Sequence, residues 1–277
     1  MEHIHTVRDG GVGVITMDRR ERFNALDVQA ASDLHHAARA MAHDATVRCV
    51  VLRGTGGVFC SGADLKYIRA AGDGVSLGAL PPDARAVSCG YGKIFKHILT
   101  SLHDTIAEIR RAQKPFIAAV DGAAAAGGFG VAMCCDLVVA SRRSTFEYAY
   151  FKTALTGAES TTFFLPKLIG TRRAADLALL GRRLTADEAQ SWGLVSEVYD
   201  DDRFDGDVAM LARRLATGPT ASYAAAKMLM NEAAGIERLD AHLDRELDML
   251  VHAADGADFA EGINAFFAKR LPQFSGK

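Results

Sequence analysis

Two glycine-rich turns hold the residues best suited to chemistry, and the chemistry they suit is the holding of negative charge on a carbonyl oxygen. The first is Gly57-Val58-Phe59-Cys60-Ser61-Gly62-Ala63-Asp64-Leu65, and the second runs from Asp121-Gly122 through the alanines to Gly127-Gly128-Phe129-Gly130. Each follows an apolar run and opens into a helical pattern. Small residues let a ligand approach the backbone, and the first N–H groups of a helix lack internal partners at the positive end of its dipole. Two such turns facing one another would hold a developing oxyanion. A lone glycine pair at a helix start more often reflects close packing, so neither turn carries this reading alone. Other glycine-loop chemistries are excluded. No Lys-Ser/Thr pair follows Gly127 as a P-loop requires, the dinucleotide fingerprint fails for want of a third glycine after Gly130, and Phe59 and Ala63 stand where a nucleophile elbow around Ser61 needs glycine.

The turns must be positioned by the elements around them. Short β-branched runs predict strands at Val12–Met17, Val47–Leu52, Phe116–Val120, Leu137–Ala140 and Leu194–Val198. Apolar residues at helical spacing predict helices over Asp27–Ala42 and Ile94–Ile109, and a short one over Val131–Cys135. Strand and helix in alternation argue for an α/β layer fold. Leu65–Arg85, with Gly72, Gly74, Gly78 and the Pro81-Pro82 pair, reads as a mobile insertion or linker able to cover a ligand. Thr185-x-x-Glu188 is a capping box. After the acidic stretch Asp200–Asp202 the strand signals stop, and Val208–Leu215, Ala221–Ala233, Leu239–Ala253 and Phe259–Lys269 read as helices. The expected organisation is an α/β core over residues 1–199 and a helical region over 200–277, serving either oligomerisation or as a cap on the core.

Composition narrows the class. With 277 residues, a net charge of −2 and scattered Lys and Arg, the chain offers no basic stripe for a phosphate backbone, which disfavours nucleic acid as a partner and an RNA-binding scaffold as a role. Its five cysteines, Cys49, Cys60, Cys89, Cys134 and Cys135, show no C-x-x-C pair or metal-ligand spacing and fit reduced, buried thiols, so no metal is expected. No run approaches the ~18 apolar residues of a membrane span, and the N-terminus has no targeting signature, so no membrane association and a cytoplasmic location are expected.

Together the turns resemble the crotonase, or enoyl-CoA hydratase/isomerase, superfamily, and the resemblance runs in order from about Val12 to Phe274. Arg22-Phe23-Asn24-Ala25-Leu26 is similar to the family's R-x-N-A-L segment, Phe59–Leu65 to F-C-x-G-A-D-L, and Lys114-Pro115 through Gly128 to its long second motif. Leu165–Gly170, Ala186–Ala189 with Trp192–Val195, and Glu261–Phe266 with Lys269-Arg270 follow. The resemblance implies a crotonase-like spiral of ββα units with a C-terminal α-helical oligomerisation region, a homotrimer or dimer of trimers, and an acyl-CoA substrate with no separate cofactor. It implies an oxyanion hole made by the N–H groups of Ala63 and Gly127. It places Ser61, Asp64 and Leu65 along the adenine and pantetheine, Arg22 and Ala25 beside the nucleotide, and Phe266 and Lys269 within reach of CoA. Asp136 would hold a turn.

The pattern also departs from the family. Its hydratases place one glutamate three residues after the oxyanion glycine and a second after the next strand, where this chain has Gly130 and Tyr150. Glycine transfers no proton, and a tyrosine with an ordinary pKa near 10 is a poor base at neutral pH. Family isomerases use an acid about eight residues beyond Tyr150, at Ala158 here, and the adjacent residue is Glu159. A helix turns a side chain by ~100° per residue, so Glu159 serves as the acid/base only on an irregular loop; otherwise it merely favours a helix N-terminus. Tyr150 is expected either to donate to substrate or to fill the core, and Phe266 has a core role as its alternative. Glu147, Tyr148, Tyr91 and His97 are weaker candidates. The leading expectation is double-bond isomerisation of an enoyl-CoA, with hydration, hydrolysis, carbon–carbon cleavage, or acyl-CoA binding without turnover as alternatives.

Overall fold

The computed structural model describes residues 2–72 and 90–277. The chain begins with β1 (Ile4–Asp9), β2 (Val12–Met17), α1 (Val28–His43), β3 (Cys49–Gly54), β4 (Val58–Cys60), α2 (Leu65–Gly72) and α3 (Tyr91–Arg111). It continues through β5 (Phe116–Val120), β6 (Ala123–Ala125), α4 (Gly127–Met133), β7 (Leu137–Ser141), β8 (Thr145–Glu147), α5 (Thr161–Ile169) and α6 (Thr171–Leu180). The last elements are β9 (Arg183–Thr185), α7 (Ala186–Trp192), β10 (Glu197–Tyr199), α8 (Phe204–Thr217), α9 (Thr220–Ala233), α10 (Leu239–Ala254) and α11 (Ala257–Ala268).

The apolar runs assemble a six-stranded sheet ordered β1-β2-β3-β5-β7-β10, parallel from β2 onward. Strands β3, β5 and β7 are buried on nearly every residue, as a parallel sheet covered on both faces requires. A second sheet, ordered β4-β6-β8-β9, is built from three-residue strands. The chain therefore passes from a long strand to a short one and then to a helix three times, as β3-β4-α2, β5-β6-α4 and β7-β8-α5. This is the expected spiral of ββα units. It stacks the equivalent corners of successive turns beside one another, which brings the two glycine-rich segments together.

Helix α1 begins where Asp27 accepts the Ala30 N–H at 2.8 Å, a side-chain N-cap. The capping box at Thr185 and Glu188 is formed in full. Four helices follow β10. Phe204, Val208, Leu211 and Ala212 of α8 cover one face of the large sheet against Val51, Ile117 and Val139, while α10 packs on α3.

Several expectations need correction. Leu65–Gly72 is helix α2 rather than a linker, with Tyr67, Ile68 and Ala71 buried on one face; the rest of the predicted insertion, and Cys89, lie outside the described residues. The other four cysteines are buried thiols. β1 has one buried residue in six, Ile4, and so offers no alternation to read. The last strand starts at Glu197 rather than Leu194, because the Leu194 and Val195 N–H groups bond back to the Ala189 carbonyl at the end of α7.

Candidate active site

Gly62 is the point where the two turns touch. Its φ of +95° is one that side-chain-bearing residues rarely adopt. A Cβ there would stand 2.9 Å from Ala126 Cβ and 3.2 Å from the Gly127 nitrogen. Ala63 forms an isolated parallel bridge with Leu26: the Leu26 N–H donates to Gly62 O at 2.8 Å and the Asp64 N–H donates to Leu26 O at 2.9 Å. A parallel bridge engages the groups flanking its central residue, so the Ala63 N–H faces away from Leu26 and has no acceptor among the described residues. Gly127 opens α4, and its N–H is likewise without an acceptor among them. Ala126, just before it, holds φ 45° and ψ −121°, a strained conformation for alanine, fixed by its N–H donating to Glu147 O at 3.0 Å.

These two amides border a cavity of about 350 Å³. Among the sequence-predicted residues, Arg22, Ala25, Ser61, Ala63, Asp64, Leu65, Gly127, Tyr150, Glu159 and Phe266 line it. Lys269 does not; it is exposed past the end of α11. Asp64 is turned inward. One oxygen accepts the Tyr67 N–H at 3.0 Å at the start of α2, and the other lies 3.0 Å from Arg19 Nη1 and 3.3 Å from Arg22 Nε. Its carboxylate therefore braces the first turn rather than facing a ligand. Phe266 is not a core residue: it is 54% exposed and packs edge-on against Phe267. Asp136 lies away from the cavity, where it accepts the Phe116 N–H at 2.9 Å and pairs with the buried Lys227 at 2.7 Å.

Glu159 sits at the inner wall. Residues 159 and 160 both adopt left-handed backbone, φ 49° and 64°, immediately before α5. This is the irregular loop that a one-residue offset requires, and it brings the Glu159 carboxylate to the cavity beside Gly127: a Cβ on Gly127 would stand 2.8 Å from Oε1. Glu159 is 3% exposed, and burial pushes the pKa of its carboxyl group up to about 8. A hydrogen bond donated by the Tyr150 hydroxyl opposes that rise, while the charge of Glu246 adds to it. Tyr150 is itself buried, with its hydroxyl engaged by Glu159 and by the Ala158 carbonyl at 3.2 Å. Of the two expected roles the buried one is what the packing shows, with Glu159 lying nearer the hydroxyl than the Ala158 carbonyl does.

Gly130 explains the missing hydratase glutamate. A Cβ there would stand 2.3 Å from the Glu159 carbonyl oxygen and 2.8 Å from Glu159 Cβ, so the Glu159 loop occupies the space a side chain at 130 would need. Glu147 also borders the cavity, but Lys152 and Arg183 clasp its carboxylate and hold it ionised below the usual carboxylate range against the opposing effect of its burial. Tyr148 packs its ring 4.9 Å from that of Tyr150 and is absent from the cavity wall, as are Tyr91 and His97. Sequence reasoning missed Phe95, Leu155, Leu250 and Phe267, which add to the apolar wall. Phe95 and Leu250 sit on core-facing helical stripes, where a wall residue has the same pattern as a packing residue. Among the described residues no cluster of His, Cys, Asp and Glu could hold a metal, and no helix is long and apolar enough to cross a membrane.

The spiral fold places two unpartnered backbone N–H groups and the buried acid Glu159 around one cavity, and comparison with known proteins gives the chain a family. The family model described as Enoyl-CoA hydratase/isomerase matches residues 8–77 and 92–277. The chain belongs to the enoyl-CoA hydratase/isomerase family. It is 35% identical to the 1,2-epoxyphenylacetyl-CoA isomerase of Escherichia coli (strain K12) over 279 residues, covering 100% of both chains. It is 30% identical to 4-chlorobenzoyl coenzyme A dehalogenase-2 of an Arthrobacter species, over 97% of this chain and 92% of that one. A crystal structure of an enoyl-CoA hydratase from Mycobacterium avium subsp. paratuberculosis K-10 superposes with a TM-score of 0.85 at 29% identity, covering 99% of this chain and 98% of the other. Enzymes of this family act on acyl-CoA thioesters by more than one reaction, so the reaction must be argued from the site.

Proposed function

We propose that this protein moves the double bond of an enoyl-CoA. The observation that carries the reading is Glu159: among the described residues it is the buried carboxyl group of the cavity that no basic side chain pairs, since Asp64 and Glu147 are both held by cations, and it stands beside Gly127, with a glycine at 130 where a further acid has no room. In the forward direction the Glu159 carboxylate takes a proton from the carbon between the thioester carbonyl and a 3,4-double bond. The released electron pair delocalises onto the thioester oxygen, which accepts hydrogen bonds from the Ala63 and Gly127 N–H groups. Glu159, now protonated, returns that proton to the γ carbon, and the double bond moves into conjugation with the thioester. One acid with a pKa near 8 suits this shuttle, because it is present in both protonation states near neutral pH. Each backbone donor contributes on the order of 100-fold in rate in comparable sites. Syn-hydration by two carboxylates is disfavoured by the same geometry. The Escherichia coli relative is named as the isomerase of an epoxy acyl-CoA, which supports isomerisation as the reaction class. Exposed Met228, Leu229, Met230 and Met249 on α9 and α10 support self-association, expected as a trimer or dimer of trimers.

Incubation of the purified protein with trans-3-hexenoyl-CoA and, separately, with trans-2-hexenoyl-CoA tests the proposal through the conjugated thioester absorbance. Appearance of conjugation from the first is expected. Loss of conjugation from the second by water addition, with no reaction of the first, overturns it.

A further inference from the structure

Helix α10 has an anomaly in its buried stripe. Leu239, Leu243, Glu246 and Leu250 share one face at helical spacing, and Glu246 is 4% exposed, a carboxylate at a core position. Burying such a group is costly unless it is fully bonded. Glu246 accepts the Ser160 N–H at 2.8 Å, the Thr162 N–H at 3.0 Å, and the Thr162 hydroxyl. The Ser160 side chain does not cap α5, so Glu246 does this from a different helix, more than eighty residues along the chain. The bonded amides lie within and just after the left-handed pair Glu159–Ser160, a conformation costing about 1–3 kcal/mol per residue that persists only where its surroundings over-determine it. Glu246 is backed by His103 of α3, whose Nε2 lies 4.0 Å from its carboxylate, and by His242, which bonds Thr162 Oγ1 at 2.7 Å.

We propose that Glu246 is the positioning residue of this site: by clamping the amides of Ser160 and Thr162 it holds the Glu159 carboxylate against the oxyanion-binding turn without touching substrate. The inference rests on the reading of Glu159 as the proton-transferring group. Its charge also acts on Glu159 across the loop, so that removing it eases the ionisation of Glu159. The ionisable groups around the pair are Tyr148, Tyr150 and the Cys60 thiol beside Glu159, His103 from α3, and His242 from α10 itself.

Glu246→Gln, Thr162→Val and Glu159→Gln test this, assayed on trans-3-hexenoyl-CoA across pH, with hydrogen exchange of the 160–162 amides measured in parallel. Glu246→Gln keeps the shape but turns one acceptor into a donor facing an N–H. It is expected to lower kcat on the order of 10- to 100-fold with KM little changed, since ~1 Å of misplacement costs that much. The limb of its pH–rate profile moves to lower pH, and amides 160–162 exchange faster. Thr162→Val removes the hydroxyl that donates to Glu246 while leaving the carboxylate and both amides in place, and serves if the first variant does not fold; a smaller fall in kcat with faster exchange is expected. Unchanged kcat and exchange in either folded variant, or a loss confined to KM, overturns the positioning role. If Glu159→Gln turns over normally, the reading of Glu159 itself fails; if it is inactive while Glu246→Gln behaves as wild type, only the role of Glu246 falls.

Discussion

Tyr150→Phe isolates the electrostatics of the proposed acid. The tyrosine hydroxyl donates to Glu159 in a site where burial dominates, and its effect is to lower a pKa that otherwise rises. A hydrogen bond to a charged group contributes roughly 1.5–3 kcal/mol, and one pKa step corresponds to ~1.4 kcal/mol, so losing the hydroxyl raises the pKa from about 8 to roughly 9–10. The carboxylate is the reactive form for proton removal. Its share at pH 7 is about one in ten in the wild type and falls to roughly one in a hundred to one in a thousand in the variant. The kcat/KM for a 3-enoyl-CoA is thus expected to rise with pH through about 8 in the wild type, and to drop ~10- to 100-fold at pH 7 in Tyr150→Phe. At high pH the two should converge, because a more basic carboxylate is no worse a base. The assay is the pH profile of conjugated thioester formation between pH 6 and 10.5. A limb that stays in place, or moves to lower pH, refutes the hydrogen-bond argument; a fall in rate equal at every pH would show that Tyr150 acts by shape alone.

Glu159→Gln should abolish isomerisation while leaving CoA binding by calorimetry intact, and normal turnover would refute the assignment. The same variant reports on stability. Glu159 has an ordinary pKa of 4.5 and is raised to about 8 in the fold, so its contribution is full below about 4.5 and is lost as pH rises towards 8. Glutamine does not ionise, so the variant is expected to melt higher than wild type at pH 8.5, by an effect on the order of a few kcal/mol, and to match it near pH 4.5; equal melting at both pH values would contradict the burial argument. Gly130→Glu should not create a hydratase, because the new Cβ would collide with the Glu159 carbonyl; a folded variant that hydrates trans-2-hexenoyl-CoA would show that the loop yields easily. Asp136→Ala strips the buried Lys227 of its carboxylate and should cost about 3–5 kcal/mol in denaturant unfolding; a loss under about 1 kcal/mol would mean that the Ile109 and Lys114 carbonyls suffice.

What the sequence determined by itself is what short-range physics controls. The glycine turns, the apolar strands β2, β5 and β7, the capping box at Thr185 and the helices after β10 are all local patterns, and the turns that carry the Ala63 and Gly127 amides were legible from their glycines, whereas the choice of those two amides came from the family resemblance. The three-residue strands β4, β6 and β8 were not legible, since three residues show no period and their pairing joins different turns of the spiral. Glu159 could be named from its place in the chain, but not aimed. Its direction depends on two left-handed residues whose strain is met by Glu246, more than eighty residues away, and its pKa depends on burial among α4, α5 and Tyr150. An acid on the core stripe of α10 was present in the sequence as a pattern violation; its partner was not, because only the packing of α10 against the start of α5 brings that carboxylate to two unpaired amides. Tertiary structure alone decided which of the acids lining the cavity are held by cations and which, Glu159, is buried without one, since side-chain direction and desolvation are properties of the assembled fold.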